Sequence, residues 1–146
     1  MNLQIHLNFN GNCEDAFLFY KSALGGEIIT LLRYGDSPAA ASVSPNMLDK
    51  IVHATLKLDE FELAGADVPR EEYGNAKGFQ LILQLADEER AREIFTRLAE
   101  GGVVQMALQK TFWSPCYGML RDKFGISWEI NVAPADPETT NTGENP

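Results

Sequence analysis

The feature that most constrains this chain is an internal repeat. Sliding the sequence along itself by 76 positions lays Leu3 on Phe79, Gln4 on Gln80, Ile5 on Leu81, Leu7 on Leu83 and Phe9 on Leu85. The same shift lays Leu18 on Ile94, Phe19 on Phe95, Ala23 on Ala99 and Gly25-Gly26 on Gly101-Gly102. A period of this length means that one supersecondary unit is used twice. The match is one of pattern more than identity, and it fades after the second strand, where connection lengths differ.

Each copy reads as strand, helix and three strands. Residues 3–9 alternate strictly: Leu3, Ile5, Leu7 and Phe9 face one way, and Gln4, His6 and Asn8 the other. That is a strand with one face on a core. Asn12 is a suitable N-cap for a helix over 13–24, Glu14 and Asp15 suit its positive end, and Gly25-Gly26 ends it. A strand near 27–34 follows. Residues 35–49, with Gly35, Pro38 and Pro45, read as a covering loop. Val52, Ala54, Leu56 and Leu58 alternate with His53, Thr55 and Lys57, and Asp59-Glu60 turns the chain into a return strand from Phe61.

The pattern restarts with a strand over 79–85. Asp87 caps a helix over 88–100 whose apolar stripe is Ala91, Ile94, Phe95 and Leu98. Strands near 103–111, 116–122 and 126–132 complete the copy. The expected fold is therefore α+β, two βαβββ modules with helices on the outer face. We expect a single domain over residues 1–133, with modules at about 1–70 and 78–133, and a disordered acidic tail over 134–146.

Composition narrows the function classes. The chain has 146 residues, 45% of them hydrophobic, which is enough for a core without metal or disulfide staples. A formal net charge of −9 repels nucleic-acid phosphates and anionic membrane surfaces, so neither is an expected partner. Two cysteines, Cys13 and Cys116, without metal-type spacing fit a reducing compartment. Met1-Asn2-Leu3-Gln4 has neither the basic start nor the apolar run of a signal peptide, so a cytoplasmic location is expected.

The faces opposite the helices carry the chemistry. They present Gln4, His6 and Asn8; His53, Thr55 and Lys57; Gln80 and Gln84; and Ser127, Glu129 and Asn131. Two such faces meeting across a pseudo-twofold would line a concave site for a small molecule. Phe112, Trp113 and Tyr117 offer an aromatic wall or, equally, core packing. No G-x-S-x-G elbow, P-loop or glycine-rich cofactor loop occurs, so no nucleotide cofactor is expected.

Several segments carry a family resemblance: Phe9-Asn-Gly-Asn12 running to Phe19-Tyr20 and Leu24-Gly25; Ile51-Val-His-Ala54; Leu108-Gln-Lys-Thr-Phe-Trp113; and Asp122-Lys-Phe-Gly125 leading to Trp128-Glu-Ile-Asn131. Over residues 3–132 the chain resembles PhnB-like members of the vicinal oxygen chelate superfamily, which includes glyoxalase I, extradiol dioxygenases, and bleomycin- and fosfomycin-resistance proteins. The resemblance implies two βαβββ modules, a homodimer and, in many members, a central divalent metal.

His6, His53 and Glu129 form a two-histidine-one-carboxylate set of the kind that holds Fe(II), Mn(II), Zn(II) or Ni(II) with open positions. A Gln4–Gln80–Glu129 set is the rival arrangement. Two functions follow. One is a small-molecule binding protein of the bleomycin-resistance kind, with Gln4, His6, His53, Gln80, Asn131 and Trp113 as contacts. The other is a metal-dependent lyase, isomerase or dioxygenase-like enzyme with Glu129 as ligand or base.

Overall fold

Alternation, helix caps and glycine stops resolve into two copies of one arrangement. A computed structural model describes residues 1–134; the expected tail, apart from Pro134, lies outside the described residues. The chain divides into two compact units, the first Met1–Asn75 and the second beginning at Ala76.

The first unit runs β1 (Ile5–Phe9), α1 (Cys13–Leu24), β2 (Glu27–Arg33), β3 (Ile51–Leu58) and β4 (Phe61–Asp67). Its four-stranded sheet has the order β1-β4-β3-β2, with β1 parallel to β4 and the other pairs antiparallel. The second unit runs β5 (Leu81–Leu85), α2 (Glu88–Ala99), β6 (Val103–Gln109), β7 (Cys116–Arg121) and β8 (Ser127–Val132). Its sheet has the order β5-β8-β7-β6, with the same pairing directions. The fold is α+β: two four-stranded mixed sheets and two helices.

Each helix lies on one face of its own sheet. In the first unit Cys13, Ala16, Phe17, Tyr20 and Ala23 of α1 are buried with Leu7, Phe9, Ala54, Leu56 and Leu63. In the second, Ala91, Ile94, Phe95 and Leu98 of α2, the stripe read from the sequence, are buried with Leu120, Trp128, Ile130 and Val132. Large side chains of this kind contribute about 1.5–3 kcal/mol each when fully buried. Two glycines seat the helix rings. A Cβ on Gly65 would lie 2.6 Å from the Phe17 ring, and one on Gly118 would lie 2.9 Å from that of Phe95.

The structure corrects the sequence reading at several points. The first two strands of the units, β1 and β5 and then β2 and β6, are offset by 76 residues, but α1 and α2 begin at Cys13 and Glu88 and are offset by 75. The connection from β5 into α2 is one residue shorter than that from β1 into α1. A one-residue step turns a helix by about 100°, so Leu18 is half exposed while its sequence match Ile94 is buried. The true counterparts are Ala16 and Ala91, Tyr20 and Phe95, and Ala23 and Leu98.

Asn12 stands at the N-cap of α1 without a side-chain cap bond. The Cys13 N–H instead donates to Oδ1 of buried Asp67, 2.9 Å away, whose Oδ2 accepts from the Ile51 N–H at 2.9 Å. The helix-facing set is therefore not wholly apolar. Asp87, by contrast, caps α2 through the Glu89 N–H as expected. Leu3 is exposed and Ile5 nearly half exposed, so the core face of the first strand narrows to Leu7 and Phe9. Residues 35–49 are not uniformly irregular; short 3₁₀ turns occupy Tyr34–Asp36, Pro38–Ser42 and Pro45–Met47.

Candidate functional site

Strand parity gives each sheet a second face, away from its helix, and the register orders that face into rows. In the first unit one row runs His6, Ala64, Thr55, Thr30, and the next carries Asn8 and Ala66. A third contains Glu62, Lys57 and Glu27, with Gln4 donating to Glu62 at 2.9 Å. In the second unit the rows are Ile82, Glu129, Met119, Met106; then Gln84, Asn131, Tyr117, Gln109; then Ser127, Arg121, Val103.

Because the pairings are the same, positions correspond one to one. Ala64 of the first unit matches Glu129 of the second, Ala66 matches Asn131, Lys57 matches Arg121, and Glu62 matches Ser127. His6 corresponds to Ile82. The repeat thus places a carboxylate opposite an alanine and a histidine opposite an isoleucine, so no ligand set can be duplicated between the units.

The second unit concentrates hydrogen-bond acceptors. Asn131 donates through Nδ2 to Gln84 Oε1 at 2.6 Å, and its Oδ1 is buried with no hydrogen-bond partner among the described residues. Tyr117 lies opposite Asn131 and diagonal to Glu129. Burial, and then its hydrogen bond to Glu129, raise the Tyr117 hydroxyl above the ordinary phenol range, so it stays protonated as a donor.

Trp113 packs edge-on against Tyr117 with ring centroids 5.2 Å apart, and Phe112 against Trp113 at 4.6 Å. Phe112 is 97% exposed and Trp113 47%. Core packing is therefore not what these two rings do.

The expected site residues divide between the units. His6 and His53 both lie exposed on the polar face of the first sheet, and His53 Nε2 is 3.2 Å from Thr55 Oγ1. Gln4 and Gln80 precede β1 and β5 instead of lying within them, and both are exposed. Glu129 and Asn131 are half-buried on β8. Among the described residues no group of three or more His, Cys, Asp or Glu side chains is gathered closely enough to hold a metal ion. His6 and His53 belong to the first unit and Glu129 to the second.

A pocket of about 500 Å³ in the second unit is lined by Lys77, Gln80, Gln105, Arg121 and Ser127 together with residues 76, 78 and 79. The sequence reading named Gln80 alone as a contact here. Comparing Lys57 with Arg121 and Glu62 with Ser127 would have exposed the difference. That comparison needs the third and fourth strands aligned, and the repeat is lost there because the β2–β3 connection is far longer than the β6–β7 connection.

A family model described as 3-demethylubiquinone-9 3-methyltransferase matches residues 1–131. The protein PA1353 from Pseudomonas aeruginosa is 40% identical with a TM-score of 0.82, over 90% of this chain and 98% of that one. Protein YjdN of Escherichia coli K12 is 32% identical over 94% of this chain and 99% of its own length. A Bacillus cereus structure described as a putative 3-demethylubiquinone-9 3-methyltransferase, PhnB protein, is 28% identical with a TM-score of 0.77, over 91% of this chain and all of that one. At the level of fold alone, the likeness extends to the fosfomycin resistance protein FosX of Listeria monocytogenes, solved in complex with Mn(II). It is 9% identical with a TM-score of 0.65, over 95% of this chain and 97% of that one.

Proposed function

This chain belongs to the PhnB-like family of the vicinal oxygen chelate superfamily, and from that premise we propose that it binds a small molecule through the polar faces of its sheets, with the second sheet discriminating between ligands. The observation that carries the reading is Asn131 Oδ1, buried without a hydrogen-bond partner among the described residues. An unsatisfied buried acceptor costs about 1–3 kcal/mol, and the corresponding position of the first unit is simply Ala66. Retaining the amide at that cost fits a group reserved for a ligand.

The ligand donates to Asn131 Oδ1 and to the Glu129 carboxylate, while Tyr117 holds that carboxylate in place. Oδ1 is covered in the free protein, so binding is coupled to a side-chain movement, which we place at Tyr117 and Trp113. Trp113 supplies the aromatic wall. Gln80 adds a contact in the second unit, and Gln4, His6 and His53 add contacts in the first. Methyl transfer is not part of this reading, because the sequence carries no glycine-rich cofactor loop.

The test is a screen of small oxygenated metabolites by ligand-observed NMR on the wild type, Glu129→Gln and Asn131→Ala. Genuine ligands lose affinity by roughly tenfold or more in either variant and change Trp113 fluorescence. Ligands indifferent to both substitutions contradict the assignment.

The alternative is a metal-dependent lyase, isomerase or dioxygenase-like enzyme with His6, His53 and Glu129 around the ion. It is favoured by the equivalence of the His6–Ala64 and Ile82–Glu129 pairs, which puts a histidine and a carboxylate in the same row of the repeat. Metal analysis of protein purified without an affinity tag decides. A stoichiometric ion lost in Glu129→Gln establishes this alternative, and sub-stoichiometric metal removes it.

We further propose a homodimer in a reducing, cytoplasmic setting. Support for the dimer comes from edge strand β2, where Ile29, Leu31 and Leu32 are exposed, and edge strand β6, where Val103 and Val104 are. Support for the setting comes from two free, buried cysteines. Light scattering that returns the monomer mass at micromolar concentration refutes the dimer.

A further inference from the structure

The outermost row of each polar face differs in one physical respect. In the first unit the row is Gln4, Glu62, Lys57 and Glu27: the lysine lies in register with a glutamate on either side, and Gln4 donates to one of them. In the second unit the corresponding row is Ser127, Arg121 and Val103, and Gln80 lines the same pocket as Ser127 and Arg121. The cation is kept and both acids are gone.

The surroundings add donors. Lys77, Gln80, Gln105, Arg121 and Ser127 line one pocket of about 500 Å³, and no acidic residue is among its lining. Among the described residues neither Lys77 nor Arg121 forms an ion pair. The contrast with Lys57 lies in the register, where Lys57 has Glu62 and Glu27 as its cross-strand neighbours and Arg121 has Ser127 and Val103. The smaller pocket of the first unit, at the start of α1, is different. Its Arg33 pairs with Glu14, and its Lys50 donates to the Gly11 carbonyl.

We propose that the pocket around Arg121 is an oxyanion subsite, and that the ligand of this protein carries a carboxylate or phosphoryl group seated there. The inference rests on reading the second polar face as the ligand-binding surface, and it names the chemical class of one end of the ligand. The planar guanidinium of Arg121 matches two oxygens of such a group at once. Gln80, Gln105 and Ser127 supply neutral donors, and Lys77 a second charge. Ser127 and Glu129 share one face of β8, two residues apart. The ligand's anionic end therefore lies against Arg121, and its hydrogen-bond-donating end against Glu129 and Asn131.

The probes are inorganic phosphate and acetate, titrated separately into the full chain. The arginine Nε–Hε, glutamine side-chain amide and lysine Cε–Hε resonances are followed by two-dimensional NMR, with sodium chloride as the ionic-strength control. We expect saturable shifts at Arg121 and Gln80 with at least one oxyanion, and none at Lys57. The stronger of the two identifies the group. Arg121→Gln weakens binding by roughly tenfold or more, and Arg121→Lys by less. Arg121 is exposed, so neither change threatens the fold. The proposal is overturned if chloride produces the same shifts, if Lys57 responds equally, or if Arg121→Gln binds as the wild type does. Phosphate binding that survives Asn131→Ala, beside a metabolite screen without Asn131-dependent ligands, sinks the wider functional reading and leaves this subsite standing.

Discussion

The two units share a backbone plan and use its polar face in different ways. The first sheet answers more of its own polar groups: Ala64 and Ala66 contribute no polar side chain, Lys57 sits between glutamates, and Gln4 donates to Glu62. The second sheet keeps Glu129 and Asn131 at the positions of those alanines, and an uncompensated Arg121 at the position of the lysine. A duplicated fold has no need to duplicate its chemistry. One copy can satisfy its own polar groups while the other holds such groups ready for a ligand.

The units also differ in the buried aspartate that ties each together, and here the largest effects are expected. Asp67 joins the end of β4 to the start of α1 and the start of β3 through two backbone N–H groups. In the second unit that position is Val132, and the comparable group is Asp122. Its carboxylate accepts from the Phe124 and Ile126 N–H groups and the Trp128 indole. Asp67→Ala and Asp122→Ala each leave two backbone donors unsatisfied and should cost about 3 kcal/mol or more by urea denaturation. A loss below about 1 kcal/mol for either would show that it is not the staple described.

Next in size are the paired glycines. A Cβ on Gly26 would lie 2.2 Å from the Lys57 carbonyl, and one on Gly102 2.3 Å from that of Arg121. Backbone oxygens cannot swing aside, so alanine at either should cost about 2–3 kcal/mol. Gly26 also has φ +82, so Gly26→Ala should exceed Gly102→Ala by about 1 kcal/mol. Equal losses would mean that the carbonyl clash alone decides.

The thiols separate the units by pH. Burial first, then Asp67 and Glu14, raise Cys13 far above the ordinary thiol value. Burial also raises Cys116, but Arg92 pulls it back. At alkaline pH the unfolded chain loses protons that the folded chain retains, so stability falls as pH rises beyond about 9. The slope for one such thiol is at most about 1.4 kcal/mol per pH unit. Cys13→Ala should flatten the decline more than Cys116→Ala, as read from chemical denaturation across that range.

The smallest stability effect is expected at Asn131. Giving it the side chain of its first-unit counterpart, Asn131→Ala, removes an unsatisfied acceptor along with one bond to Gln84. The two changes nearly offset, so the midpoint should move by less than about 1 kcal/mol in equivalent stability. A loss of several kcal/mol would make Asn131 a structural residue.

Most of the fold was legible because it rests on periodicity. Alternation placed β1 and β3, the repeat carried the pattern into the second unit, and the Ala91, Ile94, Phe95, Leu98 stripe placed α2 on its sheet. Asp67 was not legible as the partner of α1, since the two are far apart in sequence and only the β1–β4 pairing brings them together. The helix offset was hidden because the matching glycine stops, Gly25-Gly26 and Gly101-Gly102, masked a one-residue difference before each helix. Parity marked Glu129 and Asn131 as polar-face residues. The exposed arginine row needed the cross-strand register, which a single sequence does not carry across connections of unequal length.

The central claim is that the second sheet binds because its outer row lacks the acids of the first. It is tested by Ser127→Glu, which restores the residue found at Glu62. The affinity for the preferred oxyanion, followed at the Arg121 guanidinium by NMR, should fall by roughly tenfold or more, with an unchanged thermal midpoint. Unaltered affinity in that variant would contradict the account.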